Sequence, residues 1–184
     1  MIYIIDFGSS KTRKITSSLA ALGYVATVVD WDKIASVDWT KVTGIILSGA
    51  PVLLTEVNGK LYVDKCAFLK DIKIPVLGIC FGHQLLGVIH GASIFKADEE
   101  RTETEISILE QNKLFEGFKE KMIMVEDHTE GITLPPGFMH LASSKKYEVE
   151  AMKHADLNIF GVQFHPEVSG DNGLKLLHNF CKLT

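Results

Sequence analysis

The chain has 184 residues, a formal net charge of −4 and three cysteines. This length suits one domain with its own hydrophobic core, expected to cover residues 1–184. The negative charge and the lack of a basic run argue against nucleic acid as a partner. No apolar run has the length of a membrane span, and no Cys or His group has metal-ligand spacing. Few cysteines, odd in number, favour a reducing compartment, so we expect a cytoplasmic protein without a metal site.

Strand-like and helix-like segments alternate along the first half of the chain and then give way to short strands. The early strand candidates are 2–7, 24–29, 44–47 and 74–79, and the helix candidates are 12–22, 61–72 and 84–89. The later strand candidates are 93–96, 105–109, 122–126, 139–142, 148–153 and 159–164, before a final helix at 172–181. The alternation predicts a single α/β domain, with a central mostly parallel sheet flanked by helices. The later strands predict a smaller antiparallel extension.

A cysteine stands between the apolar strand at 74–79 and the helix candidate that follows. The segment 78–82 reads Gly-Ile-Cys-Phe-Gly, which is the pattern of a nucleophile elbow with Cys80 in the nucleophile position. Such a turn holds the side chain in a tight bend, with small residues on both sides. The helix N-terminus favours a thiolate, which can attack a carbonyl carbon. A cysteine in this position can also be an ordinary buried apolar residue.

A histidine and a carboxylate follow the second apolar strand, at 160–164. They stand in the sequence His165-Pro166-Glu167. Proline favours an extended conformation at His165, and residues two apart on an extended segment point to the same side. Glu167 can then hold one ring nitrogen of His165 while the other faces Cys80. The joint occurrence of both motifs predicts a Cys-His-acid triad rather than three unrelated structural residues.

These motifs resemble the signatures of class I, triad-type glutamine amidotransferases. The resemblance covers nearly the whole chain: 6–9 is similar to the opening turn, and 48–51 (Ser-Gly-Ala-Pro) to the Ser-Gly-Gly-Pro loop. The segments 149–154, 161–168 and 179–181 are most similar to the separate glutaminase subunits of GMP synthetases. The resemblance implies that Cys80 attacks the side-chain amide of L-glutamine through a thioester, while His165 moves the protons and Glu167 orients it.

The resemblance also implies a set of supporting residues around the nucleophile. The backbone N–H groups of Phe81 and Ala50 are the expected oxyanion donors. Gln84 lies one helical turn after Cys80 and is expected to contact the substrate; alternatively, it is a solvated helix residue. His128 matches a histidine that lies beside the glutamine site in the family. Its segment, 127–130, is equally compatible with a polar surface turn.

One departure from the family pattern affects the oxyanion hole. The resemblance implies a glycine at this position, where the peptide reorients to build the oxyanion hole, and this chain has Ala50 instead. Positive φ costs alanine roughly 1 kcal/mol or more relative to glycine. We therefore hypothesise that the hole is poorly formed in the free chain and forms when a partner docks.

The chain has no recognisable ATP-binding loop, so the resemblance implies a partner for the ammonia. The expected partner is a separate ATP-pyrophosphatase synthase subunit, which binds ATP and Mg²⁺ and aminates XMP to GMP. This chain is expected to need no cofactor of its own. Departures at 103–105 and 127–130 leave open a glutaminase for another acceptor or a γ-glutamyl hydrolase. A catalytically weak regulatory subunit of the same fold is a further alternative.

Overall fold

The computed structural model describes all 184 residues. Eleven strands are present: β1 (Ile2–Asp6), β2 (Ala26–Asp30), β3 (Gly44–Leu47), β4 (Val76–Ile79), β5 (Ile94–Glu100), β6 (Glu103–Ile108), β7 (Lys121–Val125), β8 (His128–Ile132), β9 (Phe138–Ser143), β10 (Ala151–His154) and β11 (Ile159–Val162). The four α-helices are α1 (Thr12–Ala21), α2 (Gly59–Cys66), α3 (Phe81–Ile89) and α4 (Gly170–Cys181). None of these helices is long and apolar enough to cross a membrane.

Nine strands form one sheet in the order β2-β1-β3-β4-β11-β10-β9-β6-β7. The first five are parallel, and the remaining four continue the sheet in antiparallel pairs. Strands β5 and β8 form a separate two-stranded antiparallel sheet. The predicted α/β architecture with an antiparallel extension is therefore confirmed.

Two apolar clusters fill the two faces of the parallel sheet. Helices α1 and α4 contribute to one cluster, for example through Leu19 and Phe180, and helices α2 and α3 to the other, through Cys66 and Leu85. Strands β3 and β4 are buried along their whole length. This double coverage explains why their sequences are continuous apolar runs rather than alternating ones.

The main difference from the sequence prediction is strand β8, which was not predicted. His128 and Glu130 are almost fully buried in this strand, which pairs with β5. The surface-turn alternative for 127–130 is therefore wrong. The strand was not recognised in the sequence because it contains a histidine and a glutamate, which are usually exposed. Here both residues are buried and make their hydrogen bonds inside the fold instead of to water. The helix predicted at 61–72 is also divided, into α2 and a 3₁₀ turn at Ala67–Asp71.

Candidate active site

Three neighbouring parallel strands bring the predicted motifs to one edge of the sheet. Leu47 at the end of β3 pairs with Gly78 of β4, and Ile79 of β4 pairs with Val162 of β11. Parallel strands end on the same side, so the loops that follow β3, β4 and β11 converge. These loops carry Ala50, Cys80 and His165, respectively.

Cys80 occupies a strained turn between β4 and α3. Its φ of 52° and ψ of −107° make it the only non-glycine residue with positive φ. Such a conformation costs of order 1–3 kcal/mol and persists only where the surroundings enforce it. The Cys80 N–H donates to the carbonyl of Val162 at 2.9 Å, and the carbonyl of Cys80 accepts the N–H of Gln84 at 3.0 Å. The turn thus has the geometry of a nucleophile elbow.

Glycines on both sides of Cys80 are required by close backbone packing. A Cβ on Gly78 would lie 2.5 Å from the carbonyl oxygen of Gly82. A Cβ on Gly82 would lie 2.5 Å from the carbonyl oxygen of Leu47. The small residues predicted around the nucleophile are therefore dictated by contact between β3, β4 and the start of α3.

His165 and Glu167 form a buried pair beside the cysteine. His165 Nδ1 lies 2.7 Å from Glu167 Oε1, and the two residues are 2% and 7% exposed. The sequence predicted an extended segment that would point both side chains to one side. The structure does not have this extended segment. Strand β11 ends at Val162, and Pro166–Val168 forms a 3₁₀ turn that brings the carboxylate to the ring.

The charge on the His165 ring follows from these contacts. Burial alone would lower the pKa of His165, but the hydrogen-bonded Cys80 sulfur and the Glu167 carboxylate outweigh it and raise the pKa to about 10. These two neighbours therefore favour the imidazolium form of the ring. A cation at this position is what a thiolate nucleophile requires for stabilisation. In this geometry Nδ1 is held by Glu167, which leaves Nε2 to exchange protons with the sulfur and its substrate.

A cavity of about 400 Å³ opens in front of Cys80 and His165. This volume is within the range of small-molecule sites, roughly 300–1,000 Å³. The segments 8–11 and 50–53 line it, together with Thr129 and His128. The cavity is thus formed by loops at the carboxyl ends of β1 and β3 and by the edge of β8.

Three charged residues at the cavity were not identified from the sequence. Lys11 and Arg101 both form ion pairs with Asp127, the second at 3.2 Å. Burial acts to raise the pKa of Asp127, but Lys11, His165 and Arg101 outweigh it, and the pKa is lowered. The Cys80 sulfur also lies 3.8 Å from the carbonyl oxygen of Asp127. The position of Lys11 after the first parallel strand was a usable signal, whereas nothing in the sequence distinguished Arg101.

The two residues predicted as oxyanion donors are near the nucleophile: Phe81 follows it in sequence, and Ala50 lines the same cavity. Phe81 is the first residue of α3, so its N–H has no partner within the helix. Ala50 lines the cavity two residues after Ser48, and its φ is negative, since Cys80 is the only non-glycine exception. A Cβ on Gly49 would lie 3.2 Å from His165 Cε1, so this loop runs directly beside the catalytic ring position.

Gln84 and His128 differ in their position relative to the cavity, since only His128 lines it. Gln84 is 3% exposed, and its amide nitrogen donates to the carbonyl of Glu130 at 2.9 Å and to Gln163 Oε1 at 3.2 Å. It is therefore not a solvated helix residue, and it does not line the cavity. His128 does line it, with Nδ1 at 3.0 Å from the Glu130 carbonyl and Nε2 at 2.9 Å from Glu126. Their predicted contacts with substrate remain predictions.

One group of potential metal ligands is buried next to this wall. Ligand atoms of Glu126, His128 and Glu150 lie within 4.8 Å of one another. The donor types would suit a divalent cation. However, burial raises the pKa of Glu126 to about 7, and burial together with the nearby Glu126 charge raises that of Glu150 to about 9. A proton retained on Glu150 relieves the repulsion between the two carboxyl groups.

Known proteins match this chain over its whole length. The class-I glutamine amidotransferase family model matches residues 3–183. The chain is 36% identical to the glutamine-hydrolysing GMP synthase subunit of Pyrococcus furiosus, with 100% of this chain and 98% of that protein covered. The corresponding protein of Methanocaldococcus jannaschii is also 36% identical, at 100% and 97% coverage.

Solved structures also match this chain over nearly its whole length. A Thermoplasma acidophilum protein described as a candidate GMP synthase subunit superposes with a TM-score of 0.90 at 30% identity, covering 99% of this chain and 92% of the other. A glutamine amidotransferase of Thermotoga maritima shares the fold, with a TM-score of 0.78 at 20% identity and coverage of 98% and 82%. With its elbow cysteine, buried His-Glu pair and full-length match, the chain belongs to the class-I glutamine amidotransferase family.

Proposed function

We propose that this chain hydrolyses the side-chain amide of L-glutamine and supplies the ammonia to a separate synthase subunit. The observation that carries the proposal is the strained Cys80 elbow, which lies with the buried, Glu167-paired His165 at the same cavity. The names of the full-length relatives support the glutamine-hydrolysing reaction and the role as the glutaminase subunit of a GMP synthase.

The reaction proceeds through a covalent intermediate. The Cys80 sulfur attacks the amide carbon, and the oxyanion that develops accepts hydrogen bonds from the N–H groups of Phe81 and Ala50. His165 donates its proton to the departing nitrogen, so that ammonia leaves and a γ-glutamyl thioester remains. His165 then takes a proton from a water molecule that attacks the thioester and releases glutamate. Glu167 holds the imidazole in the required tautomer throughout.

The charged residues at the cavity fit the other end of glutamine. The substrate carries an α-carboxylate and an α-ammonium group at the end remote from its amide. Lys11 and Arg101 are cations suited to the carboxylate, and Asp127 is the anion suited to the ammonium group. Binding would exchange the existing ion pairs for pairs with the substrate, with little net change of charge in the cavity.

The ammonia acceptor lies on another chain in this proposal. The partner is an ATP-pyrophosphatase synthase that binds ATP and Mg²⁺ and aminates XMP to GMP, in the cytoplasm. The docking face is the exposed rim of the cavity around Cys80, which includes Pro51 of the 50–53 loop. His128 is buried and is not part of this face. This chain then needs no cofactor for glutamine hydrolysis.

The experiment is ammonia release from L-glutamine by the purified chain, beside the Cys80→Ala variant. We expect activity that depends on Cys80, either in the free chain or after addition of the synthase with ATP and XMP. Activity only in the complex would indicate gating by the partner. Equal ammonia release by both chains, or none in the complex, would contradict the proposed function.

A further inference from the structure

Glu130 lies at the junction between the cavity wall and the oxyanion loop. Its carboxylate is turned away from the cavity and accepts two backbone N–H groups, from Leu54 at 2.8 Å and from Thr55 at 2.9 Å. Glu130 is 1% exposed, so neither bond competes with bulk water. Two charge-assisted hydrogen bonds from one buried carboxylate are a strong and directional attachment.

The backbone of the same residue is attached to the nucleophile helix. The carbonyl oxygen of Glu130 accepts the side-chain amide nitrogen of Gln84 on α3 at 2.9 Å, and it lies 3.0 Å from His128 Nδ1. The backbone N–H of Gln84 in turn donates to the carbonyl of Cys80. One residue of β8 therefore connects the 50–57 loop to the first turn of the helix that carries Cys80.

The loop held by Glu130 has to place a donor next to the nucleophile. Ala50 is four residues before Leu54, and residues 50–53 line the cavity. The N–H groups of Glu56 and Val57 close a turn onto the carbonyl of Leu53, so the segment around Leu54 is a compact unit. Displacement of this unit would be transmitted through residues 51–53 to the Ala50 peptide.

We propose that Glu130 is a positioning residue for the oxyanion hole, which sets the distance between the 50–57 loop and the Cys80 elbow. This inference rests on the proposed glutamine hydrolysis. Glu130 does not touch the substrate and takes no part in proton transfer. Its effect is exerted in the transition state, because the oxyanion needs the Ala50 donor more than bound glutamine does.

The test is Glu130→Gln, assayed for ammonia release in the form of the protein in which the wild type is active. The amide fills the same volume but presents an NH₂ group to one of the two backbone N–H donors. We expect kcat to fall between about tenfold and about 1,000-fold, the upper bound being loss of one oxyanion donor. KM should change by less than about threefold. Glu56→Gln is the matched control, because this exposed glutamate lies on the same loop and its ion pair with Lys96 is solvated.

Alkylation of Cys80 by iodoacetamide separates positioning from general damage. This substitution reaction develops no oxyanion, so Glu130→Gln should be alkylated at the wild-type rate. Glu130→Asp retains the charge and, one methylene shorter, should recover part of kcat; it also serves as the folded variant if the glutamine variant is unstable. A wild-type kcat in folded Glu130→Gln, or in Glu130→Asp where the glutamine variant does not fold, would overturn the inference, as would a parallel loss of alkylation. Absence of activity in the wild-type complex would instead contradict the proposed function.

Discussion

The pair formed by His165 and Glu167 gives the most quantitative prediction. In Glu167→Gln the side chain keeps its volume but loses the charge that faces His165 Nδ1 at 2.7 Å. A hydrogen bond to a charged group contributes about 1.5–3 kcal/mol, and both partners are buried, so water cannot replace it. If this energy acts on the imidazolium and its orientation, the rate constant should fall about 10-fold to 150-fold.

The assay is the kcat of ammonia release at saturating glutamine, with Glu148→Gln as the control because Glu148 is an exposed glutamate. The substitution should also lower the pKa of His165 from its value of about 10, since Glu167 is one of the groups that raise it. The pH dependence of Cys80 alkylation measures the titration of the Cys80–His165 pair, and a lowered pKa of His165 changes this profile. A loss in kcat below about threefold, combined with an unchanged alkylation profile, would refute the assignment of Glu167.

The same contact affects stability with a defined sign. The pKa of His165 is raised in the folded chain above its unfolded value near 6.5. Its contribution to the free energy of unfolding is therefore fully present below about pH 6.5 and is lost as the pH rises towards 10. In Glu167→Gln the loss of this contribution to the free energy of unfolding should be complete at a lower pH, because the pKa of His165 in the folded chain is lower. Urea unfolding at several pH values between 6 and 10 measures the difference.

Three further predictions concern residues around the site. Gly78→Ala should lower the free energy of unfolding by about 1–3 kcal/mol in urea titrations, because its Cβ meets the Gly82 carbonyl; a wild-type value would contradict the packing argument. Glu150→Gln should gain stability relative to wild type as the pH rises from 5 to 9, since the raised pKa values of Glu150 and Glu126 make deprotonation unfavourable to the folded state; a difference independent of pH would count against a proton held on Glu150. Ala50→Gly should raise ammonia release by the free chain, and an unchanged rate would argue against a partner-gated oxyanion hole.

The motifs that carry the chemistry could be recognised in the sequence because they are local. An elbow needs glycines at fixed offsets from Cys80, and a buried parallel strand needs a continuous apolar run. Both requirements act over a few residues, so they leave a readable pattern. The strand order was not needed to expect Cys80 and His165 at one site, since each follows an apolar strand that suits the interior of the sheet.

The tertiary structure alone decided the surroundings of these motifs. His128, Glu130 and Glu150 are polar residues that resemble surface positions in sequence, yet all three are buried in the fold. Glu130 contacts backbone 75 residues away, and the Lys11–Asp127 pair spans 116 residues. Sequence patterns record the period of a strand or helix and the conformation of a turn. They do not record which separate segments meet, because that depends on the packing of the whole chain.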